Sequence, residues 1–318
     1  MKIREFRSDT MTMPTAAMRE AMKNAEVGDD VVDEDPTVNR LQDTAADILG
    51  MEAALFVPSG TFGNQCAIGV HTSPGNEIIV SETTHVIDHE AGAAASLWGA
   101  QTRTVVPTNG MHLTAADVRP RIRTLEDVHH PDTGLIVLEN ALALGTVMPL
   151  EAMQEVREVA REHDVPIHLD GARIFNAALS LGCEARDIAA CVDSVMFCLS
   201  KGLGAPVGSI LAGSADFIRK AKWRRKIMGG GSCRHSLHPV NPPLLMFSLA
   251  GSGMFVGDLI FQFRNNLFEP FDAASLLFDH KDASLAQGGE ILRSKGMNDD
   301  GQFRQPIQQG GQERFAVG

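Results

Sequence analysis

The sequence contains no tyrosine, so acid–base schemes built on a phenol are excluded unless another group replaces it. Cysteine is sparse as well. The five residues, at positions 66, 183, 191, 198 and 233, are an odd number without a C-x-x-C pair, which removes support for metal sites and disulfide scaffolds and favours a reducing compartment. Positive charge is also short, with 28 Lys and Arg against 40 Asp and Glu and a formal charge of −12. The one dense basic block, KAKWRRK from Lys220 to Lys226, reads as a solvated helix face, and a nucleic-acid partner is disfavoured because phosphates demand clustered cations. The opening MKIREFRSDT lacks the apolar core of a signal peptide, so a cytoplasmic location is expected. The apolar run from Leu244 to Phe261 approaches membrane-spanning length, yet its glycines and Asp258 make it a buried segment, and no membrane partner is expected.

What is present points to a large core. A chain of 318 residues predicts one large domain or two unequal ones. From about residue 20 to 226, helix-like segments (Thr37 to Leu49, Glu151 to His163) alternate with the strand-sized apolar runs ALFV, EIIV, TRTVV, GLIVL, PIHLD and SVMFC. That alternation predicts an α/β domain with a mostly parallel sheet covered on both faces. Ligands gather at the carboxyl ends of such strands, so the residues that follow each run carry the functional reading.

After ALFV comes PSGTFGNQ, where Gly60 permits close backbone approach and Thr61 offers a hydroxyl. The segment is either an anion-holding turn into a helix or an ordinary strand-to-helix turn. After EIIVSETT comes His85, a candidate catalyst or simply a satisfied polar residue. After PIHL come Asp170 and Arg173; a buried carboxylate needs a partner, and Arg173 is the plainest candidate. SVMFC leads to Ser200, Lys201 and the glycines 202, 204 and 208, which is not the setting of an ordinary surface lysine. A cofactor with a phosphate, a flat ring, a basic ring nitrogen and an aldehyde would use all of these groups, and pyridoxal 5'-phosphate is such a cofactor. Lys201 in an apolar setting would have its ammonium form disfavoured, which suits attack on an aldehyde.

The segments RSDTMTMPT, VGDD with EDPTVNRL, FVPSGTFGNQ, HLDGARIFNA and FCLSKGLGAPVGS, in that order over about residues 3 to 231, resemble the low-specificity L-threonine aldolases. These belong to the aspartate-aminotransferase-like, fold-type I enzymes. The resemblance implies an N-terminal arm over 1–19, a cofactor-binding large domain over 20–235, and a third region over 236–318. It further implies that Lys201 holds the cofactor aldehyde, Asp170 pairs with the ring nitrogen, and His85 stacks on the ring. By the same resemblance Gly60 and Thr61 cradle the phosphate, Ser8 and Arg173 meet the substrate carboxylate, and His129, preferred over the adjacent His130, is a second active-site histidine. The implied reaction cleaves β-hydroxy amino acids such as L-threonine or L-allo-threonine into glycine and an aldehyde, in a homodimer or homotetramer. β-Elimination, racemisation, or a cofactor-binding remnant without turnover are the other readings.

The chain departs from the family at Val32 and Asp33, where a tyrosine and a glycine are common, and above all after Gly231. Nine of its 15 phenylalanines follow residue 246. The region 236–318 is therefore expected to be a divergent or aberrant small domain, with none of Arg234, Arg264, Arg293, Arg304 and Arg314 nominated as a carboxylate clamp.

Overall fold

The six apolar runs ALFV, EIIV, TRTVV, GLIVL, PIHLD and SVMFC each form a strand, as expected for β-branched and aliphatic side chains that fit a pleated, buried surface, whereas the run from Leu244 to Phe261 lies outside the described residues. The computed structural model describes residues 7–123 and 127–231. The expected third region and the five arginines from Arg234 to Arg314 lie outside the described residues. Strands β1 (Ala53–Val57), β2 (Glu77–Ser81), β3 (Gln101–Val105), β4 (Thr133–Glu139), β5 (Ile167–Asp170), β6 (Ser194–Cys198) and β7 (Ser209–Gly213) form one sheet in the order β1-β7-β6-β5-β4-β2-β3. Strands β3, β2, β4, β5 and β6 pair in parallel, whereas β7 runs antiparallel between β6 and β1.

The helices are α1 (Ala16–Asn24), α2 (Pro36–Leu49), α3 (Gly60–His71), α4 (His85–Asp88), α5 (Ala93–Trp98), α6 (Ala115–Val118), α7 (Leu150–Glu162), α8 (Ile174–Leu181), α9 (Ala185–Ala189) and α10 (Ala215–Ile227). Local chemistry sets their ends. Asp35 caps α2 by accepting from Thr37 N and Val38 N, Pro36 opens the first turn, and Gly50 closes the helix in the left-handed conformation. Between these caps Val38, Leu41, Ala45, Ala46 and Leu49 form a buried stripe at helical spacing. Each large aliphatic side chain fully buried there contributes about 1.5–3 kcal/mol.

The sheet is covered on both faces because successive strand residues point to opposite sides. Ile79, Ile136, Leu138, Ile167, Leu169 and Val195 pack with α2, α7, α8 and α9 on one face. Ile78, Val80, Leu135 and Val137 pack with Ile68 of α3 and Ala94 of α5 on the other. Leu55, Val57, Met196 and Leu211 extend that second face toward Phe217, Ile218 and Ala221 of α10.

The glycines around Lys201 have a topological cause. The chain must leave β6, reverse, and return as β7. Gly208 takes φ +100° at that return, and a Cβ there would lie 2.3 Å from the Phe56 ring. The basic block differs from the sequence expectation at one residue. Lys220 and Lys226 of α10 are exposed, but Arg225 is buried and donates to Asp30 Oδ2 at 2.8 Å and to the Phe56 carbonyl at 2.9 Å. The burial of Ala221 four residues earlier turns that side of the helix inward.

Candidate active site

Register places the functional side chains along one edge of the sheet. Glu139, the last residue of β4, lies opposite Asp170, the last of β5, and Asp170 lies opposite Met196 of β6. Ser209 at the start of β7 faces both Cys198 and Val57. The turns leading to Lys201 and to Gly60 and Thr61 therefore leave the same edge.

Asp170 is 2% exposed. Its Oδ1 accepts from Ala172 N at 3.1 Å and its Oδ2 from Asn64 Nδ2 at 2.8 Å. Both partners are neutral. Burial pushes the Asp170 carboxyl up, the Asn64 hydrogen bond opposes this, and the charge of Glu90 adds to the rise. Arg173 is not the partner of Asp170. It is the N-cap residue of α8 and makes a two-pronged pair with Asp9, Nε to Oδ2 and Nη2 to Oδ1, each at 2.7 Å. The reason is placement, since Asp9 reaches in from the N-terminal segment while Asn64 occupies the near side of Asp170. Burial raises the Asp9 carboxyl, but the hydrogen bonds and charge of Arg173 outweigh it and hold Asp9 below its ordinary value. Ser8 precedes this pair and caps the short 3-10 turn Asp9–Met11 by accepting from Thr10 N at 3.2 Å.

His85 opens α4 after the short turn 82–84 that follows β2. Its backbone N–H donates to Glu139 Oε2 at 2.8 Å, and its Nδ1 lies 2.9 Å from Glu90 Oε1. The Glu90 carboxylate raises the His85 pKa, more than burial lowers it. Nε2 of His85 makes no hydrogen bond among the described residues. Burial, reinforced by the charge of Asp170, pushes Glu139 up to about 7. Lys201 follows β6, with its carbonyl accepting from Thr12 Oγ1 at 2.5 Å and Gly204 N at 2.9 Å. Its charge acts on His85, Asp9 and Cys198, which ties the ammonium to the same edge.

Gly60 and Thr61 form the first turn of α3, capped by Ser59 Oγ accepting from Phe62 N at 3.2 Å. A Cβ on Gly60 would lie 2.9 Å from Cys198 Sγ and 3.2 Å from Met196 Cε. The turn is thus pressed against β6, the strand that leads to Lys201. His129 does not join this group within the chain. It sits in an exposed turn before β4, with His130 Nε2 3.6 Å from Asp127 Oδ2. The seven residues of β4, about 3.3 Å each, separate that end from the edge where Glu139 and Asp170 lie.

Three participants were not assigned roles from sequence. Asn64 lies inside the quoted segment FVPSGTFGNQ, whereas Glu90 follows His85 in THVIDHEAG and Glu139 directly follows the run GLIVL. Asn64 Nδ2 donates to Glu90 Oε1 and to Asp170 Oδ2, both at 2.8 Å, and Gln65 Nε2 donates to Glu90 Oε2 at 2.7 Å. The available signal was a carboxylate five positions after His85 and an amide pair four positions into α3.

Residues 5–238 match the family described as Beta-eliminating lyase. The chain is 45% identical over 235 residues to low-specificity L-threonine aldolase 1 of Arabidopsis thaliana, covering 73% of this chain, and it spans 66% of that relative's length. It is 41% identical over 292 residues to the low specificity L-threonine aldolase of Escherichia coli K12, covering 92% of this chain and 80% of the relative. Among solved structures, the threonine aldolase of Leishmania major superimposes with a TM-score of 0.65 at 19% identity, covering 80% of this chain and 73% of that one. At that identity the likeness shows the shared fold.

Proposed function

The chain belongs to the Beta-eliminating lyase family, and from that membership we propose that it is a pyridoxal-phosphate-dependent aldolase. In this reading it cleaves β-hydroxy amino acids, L-threonine and L-allo-threonine among them, into glycine and an aldehyde. One observation carries the reading: the fully buried carboxylate of Asp170 has only neutral N–H partners in its hydrogen bonds among the described residues. A protonated ring nitrogen supplies the cation that this pocket calls for.

The remaining donors fit the same group. Lys201 holds the aldehyde, His85 covers one face of the ring, and the first turn of α3 at Gly60 and Thr61 offers N–H groups and a hydroxyl to the phosphate. When bound, pyridoxal phosphate supplies an electron sink that accepts the pair released at the α-carbon. The chain's own work is orientation and proton handling. Asp170 keeps the ring nitrogen protonated by remaining charged. Ser8 and Arg173 meet the substrate carboxylate, and Asp9 fixes the Arg173 fork so that its direction does not wander. His85 has Nδ1 tied to Glu90, which leaves Nε2 to take the β-hydroxyl proton. Loss of that proton turns the β-carbon into the leaving aldehyde, and a proton returned to the α-carbon completes glycine. The reading includes a homodimer or homotetramer in the cytoplasm; no described helix is long and apolar enough to cross a membrane.

The test is purification of the full chain with pyridoxal phosphate, followed by assay of threonine and allo-threonine. A yellow protein that releases glycine and acetaldehyde in equal amounts is expected. Ammonia and a 2-oxo acid in place of these products would overturn the aldolase reading in favour of elimination.

A further inference from the structure

Behind Asp170 a line of polar side chains crosses an otherwise apolar layer between α3 and the sheet. His71 Nε2, at the end of α3, lies 2.9 Å from Ser194 Oγ at the start of β6. Ser194 Oγ lies 2.9 Å from His168 Nδ1, and His168 Nε2 lies 3.1 Å from Asn64 Oδ1. The Asn64 amide then meets Glu90 and Asp170. His168, Ser194 and Asn64 are each 0% exposed, so the bonds among these three are shielded from water, while His71 at the outer end is partly buried.

The direction of every bond follows from proton counting. Two carboxylate oxygens accept from Asn64, so its NH2 must face them, because the reverse orientation would set the amide oxygen against two acceptors. Asn64 Oδ1 therefore faces His168 and requires a proton on Nε2. Burial lowers the His168 pKa to about 3 and the His71 pKa to about 4, so each ring is neutral and carries a single N–H. His168 Nδ1 is then bare and accepts the one hydroxyl proton of Ser194. Ser194 Oγ must accept in turn, and His71 Nε2–H is its donor. All the donors point the same way, toward the two carboxylates.

We propose that Asn64 is a positioning residue for Asp170 and, through Glu90, for His85, and that the line His71–Ser194–His168 holds its amide in this single orientation. Its purpose rests on the reading of Asp170 as the partner of a ring nitrogen; the direction of the line does not. An aligned amide donor favours the charged form of Asp170 against its burial and aims the carboxylate before any ligand arrives. Without the line Asn64 Oδ1 is left buried with no donor, and the amide is held at its NH2 end alone, so its aim at Asp170 and Glu90 loosens.

Nitrogen NMR on the histidine-labelled full chain, with and without added pyridoxal phosphate, reads the line directly. His71 and His168 are expected as neutral Nε2–H tautomers between about pH 5.5 and 8. A proton on His168 Nδ1, or a charged His168 ring, overturns the proposal. Ser194→Ala is expected to release His168 from a single tautomer and to weaken pyridoxal phosphate binding about 10-fold. His168→Gln retains an N–H near the Nε2 position and is expected to bind within about threefold of the parent chain, whereas His168→Leu binds far more weakly and shifts the pH titration of the bound absorption band. A folded His168→Leu variant with unchanged affinity and titration also overturns it. Expected tautomers in a parent chain that binds no pyridoxal phosphate would leave the line standing and sink the proposed function.

Discussion

Asp9 and Arg173 form a parallel two-bond ion pair, 2.7 Å at each prong, across 164 positions of sequence. The pair sews the N-terminal segment onto the start of α8, next to Asp170. Because both side chains are partly exposed, 25% for Asp9 and 34% for Arg173, solvent screening limits its contribution to about 1 kcal/mol. Asp9→Asn is expected to lower Tm by a few degrees and to raise KM for threonine more than it lowers kcat. The lowered Asp9 pKa fixes the pH window. The contribution is complete above the ordinary carboxylate value and is lost as pH falls through the lower, folded value. Equal stability of parent and variant at neutral pH would show the pair to be energetically silent.

Lys201→Ala should retain the fold and lose the covalent hold on pyridoxal phosphate. Borohydride treatment of the parent chain is expected to fix the cofactor to a peptide containing Lys201, which mass spectrometry locates. Label on another lysine would reassign the site.

Asp170→Asn keeps the shape of the buried side chain and removes its charge. Cleavage is expected to slow by about 10²–10³-fold, with a smaller loss of cofactor affinity. Near-normal turnover would mean that the carboxylate serves structure alone.

The pH profile separates Glu90 from a purely structural role. The His85 pKa is raised chiefly by Glu90, and His85 acts as a base only when neutral, so kcat/KM should climb as pH rises through a value above 6.5. Glu90→Gln weakens that support for the charged ring and is expected to move the climb to lower pH. An unmoved limb would exclude His85–Glu90 as the titrating unit. In stability terms the sign is the opposite of the Asp9 case, since a raised histidine pKa stabilises the fold at low pH and the benefit is lost as pH rises through the folded value.

Gly63 faces β6, and a Cβ there would lie 2.6 Å from Met196 Cγ. Gly63→Ala is expected to cost about 1–3 kcal/mol of stability and to loosen cofactor binding, because α3 carries both the turn proposed to hold the phosphate and Asn64. Chemical denaturation beside cofactor titration measures the two effects together.

Local pattern determined much of this protein. The alternating apolar runs encoded the strands and the Asp35, Pro36 and Gly50 signals encoded α2. Strand ends in turn encoded Lys201, Asp170 and His85, because a side chain's position relative to a strand terminus is a property of the nearest few residues. Partner choice was decided only in three dimensions. From sequence Arg173 belonged to Asp170, three positions away, but the fold gave it to Asp9 and gave Asp170 the amide of Asn64. Arg225 read as one cation in a solvated block until Asp30 and the Phe56 carbonyl met it in the core. The His71–Ser194–His168–Asn64 line joins α3, β6 and β5, whose residues are remote in sequence. A hydrogen bond requires donor and acceptor within about 3 Å and aligned. Periodicity encodes which face a residue occupies, whereas the packing of whole elements sets which of several equally suitable groups arrives at that distance.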